Sequence, residues 1–276
     1  CLVILVCDYL LVGRSLNFID MTNLFSMINN PLEQFQIVPI IPIKSGAVDI
    51  SFTNSALMMT LATGFFVALS RSILVDGNGH LIPNRWQAMV EGIYSFIQDM
   101  VYSNVGERGQ GFFPMLFVLF VFLLVCNLIG MVPYSFTVTS HLIVTLCLSL
   151  TVYIGVTWIL FREHGFHALS LFLPAGAPFA LYFLLIGIEL ISNVIRVVSL
   201  SVRLFANMMS GHILLKVLLG FAWTMVMSGG IMILVHLLPM AVVFILLFLE
   251  TAVAIIQAYV FTILTCIYLN EALHLH

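Results

Sequence analysis

The chain has 276 residues, of which 62% are hydrophobic and only 8% are charged, and its formal net charge is −3. Soluble domains carry about 25% charged residues, so this composition indicates an integral membrane protein and excludes an ordinary soluble domain. The small negative charge and the lack of a basic patch exclude nucleic acid as an expected partner. The lipid bilayer is the expected surrounding of most of the chain.

The first two thirds of the chain predict an N-terminal segment, 1–50, and then a helical membrane unit, 51–178. Prolines interrupt any long helix in the first segment. The second contains three apolar stretches long enough to cross a bilayer, which needs about 20 residues. They lie at 52–75, 115–132 and 141–161, and the turn Asp76–Gly79 follows the first.

Residues 83–105 have a different pattern from the three apolar stretches. Apolar residues recur at helical spacing on one face, and polar residues such as Glu91 and Asp99 lie on the other. This is an amphipathic helix, which can lie on the membrane surface or pack on a partner. Arginines at 71, 85 and 108, and Arg162 further on, place 71–111 and the end of the third stretch on the cytoplasm-like side.

The last unit, 179–276, opens after Pro174–Pro178 and contains two longer apolar stretches, 179–227 and 231–269, joined at Ser228–Gly230. A helix of about 40 residues is about 60 Å long, against about 30 Å of hydrocarbon. Each stretch therefore either breaks into two spans or lies strongly tilted. Hydropathy alone does not decide between these alternatives.

Polar residues in these two stretches repeat mostly in multiples of seven, which places them on one face of each helix. Exposing them to hydrocarbon is costly, so both polar faces are expected to face protein or water. The first face contains Glu189, Asn193, Arg196, Arg203, Asn207 and Ser210, and the second contains His236, Glu250 and Gln257.

Arg203 and Glu250 are the strongest functional candidates, because neither has another charged residue within four residues upstream. A guanidinium at the centre of a span costs roughly 2.5–3.5 kcal/mol and stays charged at any physiological pH. A permanent charge at this depth can attract a carboxylate, release it when that group is protonated, and repel a mobile proton.

The other polar residues keep structural alternatives. Glu189 and Arg196 can form a structural pair, and Asn207 and Gln257 can bond neighbouring helices. His212 can be a core histidine, although Lys216 lies one turn beyond it. The supporting candidates are Arg196, Asn193, Lys216 and His236. For His236, an interface or structural role is favoured over a role in proton transfer. The cysteines (Cys1, Cys7, Cys126, Cys147 and Cys266) show no paired spacing, which favours free thiols over a disulfide framework or a metal site.

Several motifs resemble subunit a of the F-type ATP synthase, the stator half of its membrane motor. The resemblance is closest to mitochondrially encoded forms and covers most of residues 31–276, whereas residues 1–30 carry none. The motifs are IELIS (188–192), SLSVRLFANMMSGH (199–212), LETAVAIIQAYVFTILTCIYLNEA (249–272), FTNSALMM (52–59), LIPNRWQAMVEGIYSFI (81–97), CNLIGMVPYSFTVTSH (126–141) and LSLFLPAGAP (169–178).

The resemblance implies roles in proton translocation for particular residues. Arg203 matches the essential arginine that faces the carboxylate of the rotating c ring, and Asn207 follows it in the motif. His212 and Glu250 match an outer half-channel, with the acid and histidine exchanged relative to bacterial relatives. Gln257 matches a glutamine close to the arginine, which leads us to expect Gln257 opposite Arg203. Glu189 matches an acid of the matrix-side half-channel.

The resemblance also implies an all-α fold whose last two helices form a near-horizontal hairpin around the ring. The expected function is a stator subunit whose two offset proton half-channels let proton flow drive rotation and ATP synthesis. The expected partners are the c ring, the peripheral stalk, other Fo subunits and the bilayer of the mitochondrial inner membrane, or alternatively of a bacterial plasma membrane. No cofactor and no nucleotide site in this chain are expected, and His212 with Glu250 is the one candidate for partial zinc ligation.

Two other classes of function compete with the stator. A self-contained proton channel or carrier predicts paired repeats or helices broken at the bilayer centre, which the sequence does not show. A purely structural membrane scaffold does not account for the two polar faces.

Overall fold

A computed structural model describes residues 32–45, 48–49, 51–75, 85–132, 135–165, 179–228 and 230–273. The fold is all-α, as predicted, with a few very short strands before the first helix. Residues 1–31, the Asp76–Gly79 turn and Pro174–Pro178 lie outside the described residues. The helices are α1 (Asn54–Val75), α2 (Arg85–Val105), α3 (Phe113–Gly130), α4 (Leu142–His164), α5 (Phe179–Ser228), α6 (Met232–Val235) and α7 (Leu237–Leu273).

The strands form two small antiparallel pairs that the sequence did not predict: β1 (Pro39–Ile41) with β4 (Phe52–Thr53), and β2 (Lys44–Ser45) with β3 (Val48–Asp49). Asn54 joins the first pair to α1. Its Oδ1 accepts hydrogen bonds from Ser55 N at 2.9 Å and Val38 N at 3.3 Å, and its Nδ2 donates to Gln36 O at 3.0 Å. These bonds fix the chain where α1 begins.

The helices predicted at the three apolar stretches are confirmed, with ends that differ by a few residues. Helical segments long and apolar enough to cross a membrane are Glu107–Gly130, Leu142–His164, Ile191–Met227 and Leu237–Leu273. The described apolar part of α1, Asn54–Ala68, is shorter. Proline in the first turn of α3 suits that position, because its missing N–H would have no partner there in any helix.

The amphipathic helix is α2, and it packs on the chain itself. Ile97, Met100 and Val101 are buried in the core that α3 and α7 complete. The Phe96 ring lies 5.7 Å from the ring of Tyr259 in α7. Gly106, with a φ of 77°, follows the helix and turns the chain towards α3, which a residue with a side chain would do only under strain.

The two long helices α5 and α7 pack against each other, α3 and α4 flank them, and neither helix breaks at its centre. The 50 residues of α5 are continuous, which corresponds to about 75 Å. The second apolar stretch is interrupted once, at His236 between α6 and α7. Asn127 of α3 is fully buried and donates a hydrogen bond to the Ala254 carbonyl of α7 at 3.1 Å. This bond holds α7 against α3.

Of the cysteines, Cys126 and Cys266 are buried free thiols and Cys147 is an exposed free thiol. Cys1 and Cys7 lie outside the described residues. Cys126 and Cys266 belong to the hydrophobic core, where they act as small apolar side chains.

Candidate functional site

The two polar faces meet along the α5–α7 contact. Arg196 pairs with Glu271, Asn207 with Gln257, and His212 with Glu250. Residue numbers rise along α5 as they fall along α7, so the two helices run antiparallel. This arrangement places Asn207, His212, Glu250 and Gln257 at the contact between the helices, whereas Arg203 and Ser210 of the first polar face are exposed.

The first polar contact is a buried acid–base pair. Glu250 Oε1 lies 3.6 Å from His212 Nδ1, and the two side chains are only 6% and 15% exposed. Within the described residues, neither carboxylate oxygen of Glu250 has a hydrogen-bond partner. Buried polar atoms are nearly always hydrogen-bonded, so this carboxyl group is a place where protein, water or a partner must supply a bond.

Gly211 makes room for this pair. A Cβ atom added there would lie 2.6 Å from Glu250 Oε1, 2.8 Å from its Cδ and 3.1 Å from its Cγ. No larger residue fits unless Glu250 moves. The sequence analysis missed Gly211, although a glycine inside a long helix costs about 1 kcal/mol relative to alanine and was a usable signal.

The far side of the His212 ring contacts the segment between α3 and α4. Thr137 Oγ1 lies 3.1 Å from His212 Nε2. The ring of Phe35 meets the imidazole edge-on at 6.4 Å between centroids. Lys216, one turn further along α5, acts on His212 electrostatically. Thr137 therefore holds the Nε2 side of His212, while the Nδ1 side faces Glu250 at 3.6 Å. Sequence reasoning did not find Thr137.

Zinc would need more ligands than this pair offers. His212 and Glu250 contribute one nitrogen and one carboxylate, whereas zinc sites use at least three protein ligands. Across the described ranges, no cluster of three or more His, Cys, Asp or Glu residues could hold a metal ion. A zinc ion at this pair would depend on ligands from elsewhere.

The second contact is a side-chain hydrogen bond. Asn207 Nδ2 donates to Gln257 Oε1 at 3.0 Å, and Gln257 is only 3% exposed. The expectation that Gln257 pairs with Arg203 is corrected here. The antiparallel register sets Gln257 against Asn207, one turn away, and Arg203 lies instead beside Leu264 and Tyr268.

Arg203 is exposed and borders an open groove of about 280 Å³ between the two helices. Among the described residues, no hydrogen bond or ion pair engages its guanidinium. A charge that is neither paired nor buried inside its own chain is available to a partner. The groove is lined by Ser192, Ile195, Arg196, Ser199, Leu200, Arg203, Leu264 and Tyr268.

The third contact is an exposed ion pair. Arg196 Nη1 lies 2.7 Å from Glu271 Oε2, and the side chains are 30% and 50% exposed. The guanidinium also lies 5.0 Å above the ring of Tyr268. The partner that sequence reasoning considered, Glu189, lies in α5, but its side chain is outside the described part. Glu271 was missed, although it follows Gln257 by two heptads and so lies on the same helix face.

With this geometry in place, known proteins identify the chain. A family profile described as ATP synthase A chain matches residues 52–270. The chain belongs to this family. "ATP synthase subunit a" of Marchantia polymorpha is 52% identical over 250 residues, covering 90% of this chain and 99% of that protein. The proteins of the same name from Chondrus crispus and Brassica napus are 49% and 51% identical, over 91% and 90% of this chain and 98% and 97% of their own lengths.

Membership of the ATP synthase A chain family confirms the resemblance read from the motifs. The chain is a subunit of the membrane sector, Fo, of an F-type ATP synthase, and its apolar helices make it a multi-pass membrane protein. ATP synthesis is the function of the whole complex, to which this chain contributes a membrane subunit.

The remaining candidates lie around the three contacts. Asn193 is buried on α5, and Lys216 is half-buried. Ser210 is exposed, and its hydroxyl bonds the Asn207 carbonyl at 3.4 Å. His236 stands apart, between α6 and α7, where its carbonyl accepts a hydrogen bond from Met240 N at 3.2 Å.

Proposed function

We propose that this chain provides two offset proton half-channels, one leading to the carboxylates of a c ring and one leading away from them. One observation carries the proposal. On the paired face of α5 and α7, the exposed Arg203 lies between a buried acid–base pair, His212 with Glu250, and an exposed ion pair, Arg196 with Glu271. A fixed charge that separates two titratable sites is the arrangement that directed proton transfer requires.

In the outer half-channel, a proton reaches the buried pair His212–Glu250 and passes to a deprotonated carboxylate of the ring. The carboxyl oxygens of Glu250 accept no hydrogen bond from the described residues, which leaves them available for this exchange. Once protonated, the ring carboxylate is neutral, and it can turn into the lipid at low cost.

Arg203 acts between the two half-channels. A permanent positive charge favours the ionised form of an acid that approaches it, so the arriving ring carboxyl loses its proton there. The same charge repels a proton that would otherwise cross directly between the half-channels. The exposure of Arg203 supports this role, because its charge can be reached by a second protein.

In the inner half-channel, the proton leaves on the side of Arg203 where Glu189 and Arg196 lie on α5 and Glu271 lies on α7. The exposure of Arg196 and Glu271, 30% and 50%, supports access of water to this end. The direction of flow is set by the membrane potential, about 2.3 kcal/mol per charge for each 100 mV, together with the pH gradient.

The continuous length of α5, about 75 Å, exceeds the hydrocarbon thickness of about 30 Å more than twofold. We therefore place the α5–α7 hairpin close to the membrane plane, curved along the ring. The proposed location is the mitochondrial inner membrane, with the c ring, the peripheral stalk and other Fo subunits as partners.

The decisive experiment replaces Arg203 with lysine in the whole synthase, reconstituted in liposomes. ATP-driven proton pumping should fall to background while the complex still assembles, because an ammonium covered by the ring at membrane depth can lose its proton and lacks the planar fork of a guanidinium. Arg162→Lys, at the exposed end of α4, is the matched control and should pump normally. Normal pumping by Arg203→Lys would sink the proposal.

A second measurement separates the stator from a self-contained channel. The purified chain alone, in liposomes with an imposed pH gradient, should not conduct protons, since the carboxylate that carries them belongs to the ring. Sustained conduction without a ring would favour the channel.

A further inference from the structure

Thr137 lies between α3 and α4, where burial, a hydrogen bond and a close contact with Gly130 hold it in place. It is only 3% exposed, and its carbonyl accepts a hydrogen bond from Ser140 Oγ at 2.6 Å. On its other side, a Cβ atom added to Gly130 would lie 2.6 Å from Thr137 Cγ2. The side chain is therefore fixed between the end of α3 and the turn at Val138–Ser140.

This fixed hydroxyl contacts two groups. Thr137 Oγ1 lies 3.1 Å from His212 Nε2 and 3.4 Å from the Gly130 carbonyl oxygen. A threonine hydroxyl has one proton and two lone pairs, whereas a carbonyl can only accept. Both contacts are satisfied together when the hydroxyl donates to Gly130 and accepts from an N–H at Nε2.

The direction of this bond decides what His212 offers to Glu250. A neutral imidazole carries one proton, so a proton at Nε2 leaves a lone pair at Nδ1. Nδ1 is the atom that faces Glu250 Oε1, at 3.6 Å. The opposite tautomer would leave the Gly130 contact unmade and place an N–H against Glu250.

We propose that Thr137 is a positioning residue, which holds the proton of neutral His212 on Nε2 so that Nδ1 and Glu250 share the transported proton. This inference rests on the proposed function. An arriving proton forms an N–H bond with the Nδ1 lone pair. Its transfer breaks that bond, returns the electron pair to Nδ1 and forms an O–H bond at Glu250 Oε1. The 3.6 Å separation is too long for a hydrogen bond, so transfer requires closer approach or a bridging water.

Titratable groups on α5, on α7 and beside the turn after Thr137 also contribute to any pH dependence. Lys216 lies one turn further along α5, Glu250 lies on α7, and His141 follows the turn after Thr137. Thr137 does not titrate at physiological pH. A change at Thr137 that moves the pH profile therefore acts through a neighbour.

The test compares Thr137→Val, which keeps the shape without the hydroxyl, with Thr137→Ser, which keeps the hydroxyl. Whole synthase is reconstituted in liposomes, and the pumping rate is measured against pH on the outer side. Losing one hydrogen bond should slow pumping about 2- to 10-fold in Thr137→Val and shift its pH profile. Thr137→Ser should restore most of the rate and the profile. If Thr137→Val does not assemble, Thr137→Ala serves in its place.

The same substitutions in a His212→Gln background complete a double-mutant cycle. Thr137→Val should add no further loss there, because the group through which it acts is gone. An equal loss in both backgrounds, or a serine as damaging as valine, would show that Thr137 only fills space. In that case, loss of pumping in Arg203→Lys, together with slower but measurable pumping in His212→Gln, would leave the proposed function standing. Normal pumping in Arg203→Lys would overturn the proposed function itself.

Discussion

The two ends of the α5–α7 contact each contain an acid and a base, but the two pairs differ in burial and in the distance between the groups. His212 and Glu250 are buried and stand 3.6 Å apart, whereas Arg196 and Glu271 are partly exposed and touch at 2.7 Å. The Tyr268 ring lies against the second pair, and the first has a carboxyl group without a hydrogen-bond partner among the described residues.

This difference shows that distance alone does not rank ion pairs. An exposed pair contributes about 0–1 kcal/mol even when its geometry is good. A buried polar group left without a partner costs more, about 1–3 kcal/mol, so it responds to every change around it. We expect substitutions near Glu250 to alter activity strongly, and substitutions near Glu271 to alter stability weakly.

Among the substitutions that test this comparison, Gly211→Ala should have the largest effect. The new methyl group would collide with Glu250, and overpacking of this kind costs about 1–3 kcal/mol, or roughly 5- to 150-fold in proton flux if Glu250 is displaced. Flux through the reconstituted synthase measures it. Gly187→Ala, in the same helix and with open space around it, is the control and should be neutral. Equal flux in the two variants would mean that the buried pair tolerates displacement.

Asn207→Ala should have the next largest effect, on stability. It leaves Gln257 Oε1 buried without its donor, which costs about 1–3 kcal/mol. Thermal unfolding of the detergent-solubilised membrane sector measures this loss. Ser210→Ala, exposed and one turn away, is the matched control. A Tm for Asn207→Ala as high as that of the control would show that water replaces the Asn207–Gln257 hydrogen bond. The middle of the contact would then resemble the exposed Arg196–Glu271 end.

Glu271→Gln tests the exposed end directly. Loss of this ion pair should lower stability by no more than about 1 kcal/mol, since the pair is partly exposed and the contact of Arg196 with Tyr268 remains. The same thermal assay applies, with the exposed Glu163→Gln as reference. A loss as large as that of Asn207→Ala would contradict the distinction between the two ends.

The smallest effect concerns pH and His141, which lies just before the α4 span. Burial lowers the pKa of His141 from its ordinary value of 6.5, because the charged imidazolium is penalised. The unfolded chain therefore binds a proton that the folded chain does not, and stability falls as pH drops below about 6.5. His141→Gln should flatten the dependence of Tm on pH between about 7 and 5. An unchanged slope would assign it to other groups.

The sequence predicted the helices well because their signals are local. Apolar length, proline and glycine mark α3, α4 and the long hairpin without reference to the rest of the chain. Only the structure decided between broken and continuous helices. An apolar stretch of about 40 residues has the same local pattern whether it forms two spans or one long tilted helix. The short strands were missed because their residues carry no alternation.

The candidate site was predicted in composition but not in register. Period-seven spacing found Arg203, Asn207, Glu250 and Gln257, since one helix determines one face. Which residue of α5 meets which residue of α7 depends on how the two helices slide, and so Gln257 was expected one turn away from its place. Gly211 and Thr137 act only through contacts that a linear pattern does not contain.

The unbroken α5 also limits how this part of the gene can change. Each residue of an α-helix turns the chain by about 100° and advances it by about 1.5 Å. Inserting or deleting one codon between Arg203 and His212 would rotate one of them away from α7, whatever amino acid is involved. Point substitutions along this helix do not change the angle between its residues. An insertion or deletion does, so changes in chain length are expected in the loops outside the helix.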